Sequence, residues 1–158
     1  MLTEMAHDLG ALLKERGETV AVSESSSGGL VSAALLSIPG ASKYFLAGGV
    51  VYTGPARQAI LELPATLPEE TRSSSEPYAL LCARTIRARV DATWGLAETG
   101  AAGPAGNRYG DSAGHSCIAI AGPQEEVLTI ETRVGDREAN MWMFARAALE
   151  LLTKAVQN

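Results

Sequence analysis

The sequence predicts an α/β fold, a three-layer α/β/α sandwich around a mixed β-sheet. Three observations lead there. Segments with apolar residues at helical spacing alternate with short apolar, β-branched runs. The stretch Val20-Ala-Val-Ser-Glu-Ser-Ser-Ser-Gly-Gly-Leu30 passes from such a run through a serine–glycine turn into a helical pattern. Near the C-terminus, His115–Ala121 and Glu126–Val134 flank a Gly122-Pro123-Gln124 turn and read as an antiparallel hairpin, which makes the sheet mixed.

The elements follow in order. Leu2, Met5, Leu9, Leu12 and Leu13 share one face of a helix over 2–16, with Thr3 as its N-cap and Gly17 as its stop. Residues 18–23 form the first strand. A helix from about Gly28 to Ser37 turns Leu30, Ala34 and Ile38 to the core and closes at Pro39-Gly40. Ala41–Leu46 reads as a turn and Gly48–Tyr52 as a buried strand. Thr53-Gly54-Pro55 breaks that strand, and Pro55 opens a short helix through about Leu61. Pro64–Arg72 is loop. Ser73–Ser75 cap a helix from Glu76-Pro77 to about Val90, with Arg84, Arg87 and Arg89 on its solvated side. Thr93–Glu98 is a strand. The segment 99–114 holds five glycines and one proline, a loop long enough to suggest function. Asp136 caps the last helix, whose stripe is Met141, Phe144, Ala145, Ala148, Leu151 and Leu152.

A chain of 158 residues fits one domain, 1–158, and buries enough surface to fold without staples. The net charge of −5 argues against nucleic acid or an anionic membrane as partner. No apolar run is long enough to span a bilayer, and the basic start of a signal peptide is missing, so the chain is expected in the cytoplasm. The two cysteines, Cys82 and Cys117, lie in periodic apolar segments and read as reduced core thiols; with two histidines and no Cys-x-x-Cys, no metal site is expected.

The serine turn puts hydroxyls at a helix N-terminus, where unpaired N–H groups suit a phosphate, a carboxylate or an oxyanion. In open α/β sheets ligands sit at the carboxyl ends of the strands. The serine turn, Tyr52-Thr53 and the glycine loop all leave such ends and are expected to converge. Ser25, Tyr52 and Arg57 make the core of the candidate site. A serine there is either a cap or a nucleophile, and a nucleophile needs a base and oxyanion donors. The Ser26, Ser27, Gly28 and Gly29 amides offer donors; no Ser/His/Asp order or Gly-x-Ser-x-Gly supplies the base.

At this point the motifs become recognisable. Glu24-Ser-Ser-Ser-Gly-Gly29 resembles the E-S-C-T-G-G motif of the CinA C-terminal domain family, whose stand-alone members include nicotinamide mononucleotide deamidases of the PncC type. Ser37-Ile-Pro-Gly-Ala-Ser-Lys-Tyr-Phe45, Gly49-Val-Val-Tyr52, Ser75-Glu76, Thr99-Gly-Ala-Ala-Gly-Pro104 and Gly135-Asp-Arg137 resemble further family segments, in order along the whole chain. The resemblance implies an amidase that converts nicotinamide mononucleotide and water to nicotinic acid mononucleotide and ammonia. Carried over by position, Ser25 is the nucleophile and Tyr52 its neighbouring tyrosine. Arg57 stands where the family has a lysine base, and an arginine holds its proton. The longer family members carry an additional N-terminal domain, for which this chain is expected to have no room.

Three readings stay open. In one, the chain is an amidase with a substitute base, for which Glu24, Glu98 and His115 are candidates. Their alternatives are a structural hydrogen bond to loop amides for Glu98 and an edge-of-strand polar role for His115. In another, the chain binds a nucleotide or phosphate ligand without hydrolysing it, with Arg57 as an anion clamp; a vestigial site in a domain that works through assembly is the remaining possibility. Thr99, Gly100, Gly103 and Arg108 are expected to complete the substrate pocket. No metal or organic cofactor is expected. The expected partner is a small-molecule nucleotide, and the chain is expected to form a homo-oligomer.

Overall fold

A computed structural model describes residues 1–158. The helices are α1 (Leu2–Arg16), α2 (Leu30–Leu36), α3 (Gly54–Ala56, running on as a π-helical turn over Arg57–Leu61), α4 (Glu76–Val90) and α5 (Arg137–Gln157). The strands are β1 (Val20–Glu24), β2 (Phe45–Val50), β3 (Trp94–Ala101), β4 (His115–Ala121) and β5 (Glu126–Glu131). They form one sheet in the order β2-β1-β3-β4-β5. β1 pairs in parallel with β2 and β3, while β3–β4 and β4–β5 are antiparallel. The expected three-layer sandwich with a mixed sheet is what the chain adopts.

Its two cores explain the patterns. One face of the sheet is covered by α1, α2 and α5, whose Leu9, Leu13, Leu35, Phe144, Leu149 and Leu152 are fully buried. The other face carries α4, where Tyr78, Ala79, Cys82 and Ile86 pack over Ala97, Cys117 and Ala119. Residues of β1 and β4 are buried throughout, because both faces of these strands are covered. The chain leaves β1 toward β2 through α2 on one face and crosses back to β3 through α4 on the other. The crevice where ligands gather in such sheets therefore opens between the carboxyl ends of β1 and β3.

Several boundaries differ from expectation. The second strand is not a buried 48–52 run but Phe45–Val50, an edge strand that alternates between half-buried and exposed. Its register is set by pairing Val20 with Phe45, which leaves Tyr52 beyond the strand. β3 continues past Glu98 to Ala101, so Thr99 and Gly100 are strand residues opposite Cys117 and Ser116. A Cβ at Gly100 would lie 2.4 Å from the His115 carbonyl oxygen, which explains glycine there. β5 ends at Glu131 rather than Val134. Thr3 is not the first helix cap; Met1 is, with its terminal amine 2.6 Å from Glu4. Gly28 and Gly29 belong to the turn and not to α2, with φ of 67° and 99° that only glycine adopts freely.

Candidate functional site

The serine turn is built by two buried glutamates. Glu24, at the end of β1, folds back on α2: its Oε1 accepts the Ser27 hydroxyl and the N–H groups of Gly29 and Val31, and its Oε2 accepts the Ser32 N–H at 2.8 Å. Glu98 reaches across from β3. Its Oε1 accepts the N–H groups of Ser25 (3.1 Å) and Ser27 (2.7 Å), and its Oε2 accepts the hydroxyls of Ser26 and Ser116. The donors at the helix start are thus largely occupied by the protein's own carboxyl groups, which satisfy the turn as a cap does. Ser26 and Ser27 are committed to these glutamates. The Ser25 hydroxyl forms no hydrogen bond within the protein, and neither does the N–H of Ser26.

Ser25 opens into a chamber of about 230 Å³. Val51, Tyr52 and Arg57 line it from the β2 side, Thr99 and Gly100 from β3, Ser73, Ser74 and Tyr78 from the start of α4, and Asn107 and Tyr109 from the glycine loop. A second, outer chamber of about 530 Å³ shares Tyr52, Arg57, Ser73 and Tyr109 and adds Ala65, Leu67, Glu69, Arg72 and Arg108. Of the sequence-derived candidates, Ser25, Tyr52, Arg57, Thr99, Gly100 and Arg108 meet in these chambers. Glu24, Ser26, Ser27, Gly28, Gly29, Glu98, Gly103 and His115 line neither.

Arg57 is 7% exposed and sits between the chambers. Its Nε donates to the Tyr78 hydroxyl (2.9 Å), one Nη to the Ala65 carbonyl and the other to Ser73 Oγ, both at 2.7 Å. The guanidinium also lies over the Tyr78 ring, 4.8 Å from its centre. None of the ion pairs in the protein involves Arg57. Burial pushes the Tyr78 hydroxyl up, so Tyr78 remains a neutral partner. Arg72, by contrast, is neutralised by Asp111 at 2.7 Å. Burial would raise the Asp111 carboxyl, but hydrogen bonds from Arg72 and Asn107 outweigh it and hold the group low. Tyr109 is stacked against both Arg72 and Arg108, at 4.9 and 5.0 Å. The hydrogen bond from Arg108 lowers its hydroxyl pKa.

His115 sits behind this wall. Its Nδ1 faces Glu131 Oε1 at 2.5 Å and its Nε2 faces the Ser74 carbonyl at 2.8 Å. Both partners are acceptors, so both ring nitrogens serve as donors. Burial works against that charge, yet the bonds to Glu131 and Ser74 and the nearby Asp111 raise the His115 pKa overall. The imidazole thereby holds Ser74, a non-glycine residue at φ 61°, whose N–H donates to Thr99 Oγ1. Cys117 also contacts the Ser74 carbonyl; burial pushes both thiols, Cys82 and Cys117, up to about 11, and both are free. On the far rim, Arg137 donates to the Gly103 carbonyl and the Tyr52 hydroxyl, tying α5 to the glycine loop. Sequence reasoning missed Ser73, Ser74 and Tyr78, whereas Asn107 and Tyr109 belong to the glycine loop that was expected to converge on the site. The serine run 73–75 marks a helix cap, and nothing in it signals that Ser73 and Ser74 line the chamber that Ser25 faces.

Comparison with known proteins bears out the family resemblance along nearly the whole chain. The family model of the CinA C-terminal domain matches residues 2–156. A CinA-like protein of Synechocystis sp. strain PCC 6803 is 35% identical over 157 residues, 98% of this chain and 38% of the relative. One from Synechococcus sp. strain CC9902 is 40% identical over 111 residues, 70% of this chain and 26% of the relative. The chain therefore spans only about a quarter to two fifths of the curated relatives it matches. Among solved structures, the competence or damage-inducible protein of Enterobacter asburiae superposes with a TM-score of 0.89 at 27% identity, covering 99% of this chain and 98% of that one. The protein CihA of Agrobacterium tumefaciens gives 0.87 at 27%, covering 99% and 96%. The chain belongs to the CinA C-terminal domain family.

Proposed function

We propose that this member of the CinA C-terminal domain family binds an anionic, nucleotide-type small molecule at Ser25 and Arg57 and does not hydrolyse its amide by the serine–lysine route that the resemblance implies. One observation carries the reading: no Lys, His, Asp or Glu lines the chamber that Ser25 faces. A serine hydroxyl becomes a nucleophile only when a neighbouring group takes its proton. The charged group in reach of the chamber is Arg57, whose proton is effectively permanent. Glu98 is spent on three donors of the turn and the Ser116 hydroxyl of β4, and His115 on Glu131 and Ser74.

A second reading keeps the amidase. It is favoured by the Ser25 hydroxyl and the Ser26 N–H, both without a partner, which are a nucleophile and an oxyanion donor in waiting. Nicotinamide mononucleotide separates the two. On the binding reading it raises the melting temperature by about 5 °C or more at 100 times its dissociation constant. Ammonia is then released no faster than by the Ser25→Ala variant. Ser25-dependent ammonia release would overturn the binding reading in favour of the amidase. Arg57→Lys puts an amine that can lose a proton in the family's base position, and on the binding reading it is the variant in which hydrolysis emerges.

A further inference from the structure

The inner chamber points to the chemical class of the group that reaches Ser25. Arg57 is the sole charged side chain lining it. It is buried, and its three hydrogen-bond partners, the Tyr78 hydroxyl, the Ala65 carbonyl and Ser73 Oγ, are all neutral. A guanidinium has five N–H donors, so two of them are uncommitted. A buried cation with no opposite charge is costly to hold, and the cost falls when a ligand supplies the missing charge.

We propose that the chamber takes a carboxylate against Arg57, so that the protein selects a carboxylic acid over the corresponding carboxamide. This rests on the binding reading above and names its ligand class. Charge balance decides between oxyanions: one carboxylate offsets the single cation, whereas a phosphate dianion would bury an excess negative charge. Valence agrees, since Nε and each Nη hold one bond and each Nη keeps one N–H, one for each oxygen of a carboxylate. The walls suit the rest of a flat acid. Val51, Gly100 and the Tyr78 ring are apolar, and the Ser25 and Ser74 hydroxyls, which have no partner in the protein, can donate to the acid's oxygens. At about 230 Å³ the chamber admits a single ring with its acid group. Any larger ligand extends into the outer chamber beside Arg108.

Calorimetric titration of the whole chain with matched pairs tests this. Nicotinic acid mononucleotide and nicotinamide mononucleotide differ only in the group at issue, and nicotinate and nicotinamide repeat the comparison without the nucleotide. The acid is expected to bind about 10-fold or more tightly. Arg57→Lys, which keeps the charge but not the fork, should shrink that preference; Arg57→Gln should erase it. The wild-type comparison stands alone if a variant does not fold. Equal affinities within the nucleotide pair, or tighter amide binding, would overturn the carboxylate assignment and leave the binding reading intact. Preference for nicotinate with neither nucleotide bound would keep the assignment and overturn the nucleotide reading. No binding of any of the four would overturn both.

Discussion

Glu98 and Arg57 are both buried beside Ser25, and the protein treats them in opposite ways. Glu98 accepts four hydrogen bonds, two from backbone N–H groups and two from hydroxyls. Arg57 donates three to neutral acceptors and faces open chamber on both sides. The turn around Glu24 and Glu98 is thus largely satisfied within the chain, with the Ser26 N–H and the Ser25 hydroxyl left over. The region around Arg57 is complete neither in charge nor in hydrogen bonds, since two guanidinium N–H groups are left over. A feature that resembles an anion site in sequence, the start of α2, is largely filled from inside. The place where an anion is wanted lies across the chamber, at Arg57 in the π-helical turn that continues α3. Self-sufficiency marks the scaffold, and an uncompensated charge marks the site.

The sharpest way to break this contrast is to remove the carboxylate. Glu98→Gln turns an amide N–H₂ toward donors that need acceptors, leaving buried N–H and hydroxyl groups unpaired. Hydrogen bonds to a carboxylate contribute about 1.5–3 kcal/mol each, so a loss of about 3–5 kcal/mol in urea unfolding is expected. A loss below about 1 kcal/mol would show that the turn does not depend on Glu98. Arg57→Met should cost less, under about 2 kcal/mol. The variant forfeits three hydrogen bonds but also relieves a buried charge that nothing in the chain offsets. If Arg57→Met proved as damaging as Glu98→Gln, Arg57 would be a structural strut, and the contrast between the two regions would collapse.

The scaffold side of this comparison was largely legible in the sequence, and the ligand side was not. The alternation of helices and strands, the serine turn and the C-terminal hairpin rest on local periodicity, which side chains display along the chain. β2 was misplaced because Gly49-Val-Val-Tyr52 looks buried in isolation. The strand's true register comes from pairing with Val20, and as an edge strand it leaves Leu46 and Val50 exposed. Arg57 is legible as a candidate from its place one turn into the short helix after β2, and its family position adds that a lysine base is expected there. Its burial depends on Ala65, Ser73 and Tyr78, on a later loop and helix, and no local pattern encodes such a meeting. Ser74 was invisible for the same reason: its positive φ is held by Thr99 and His115, which are distant in sequence.

The smallest expected effect concerns that support and is set by pH. His115 has its pKa raised from the ordinary 6.5, since Glu131, the Ser74 carbonyl and Asp111 outweigh the opposing effect of burial. The groups facing it are these and Cys117, with Arg72 on the far side of Asp111. A raised folded-state pKa means that the imidazolium contributes stability fully below pH 6.5. That contribution is lost as pH rises through the folded-state value. Glu131 is half-exposed, so solvent screens part of the pair, and the effect should fall well below that of Glu98→Gln. Melting temperatures across pH 5.5–9 (about the range over which histidine titrates in proteins) should decline on the alkaline side, and His115→Gln should flatten that decline. An unchanged slope in the variant would mean that Ser74 keeps its left-handed backbone without the charge. The wall opposite Ser25 would then belong with the self-sufficient part of the molecule.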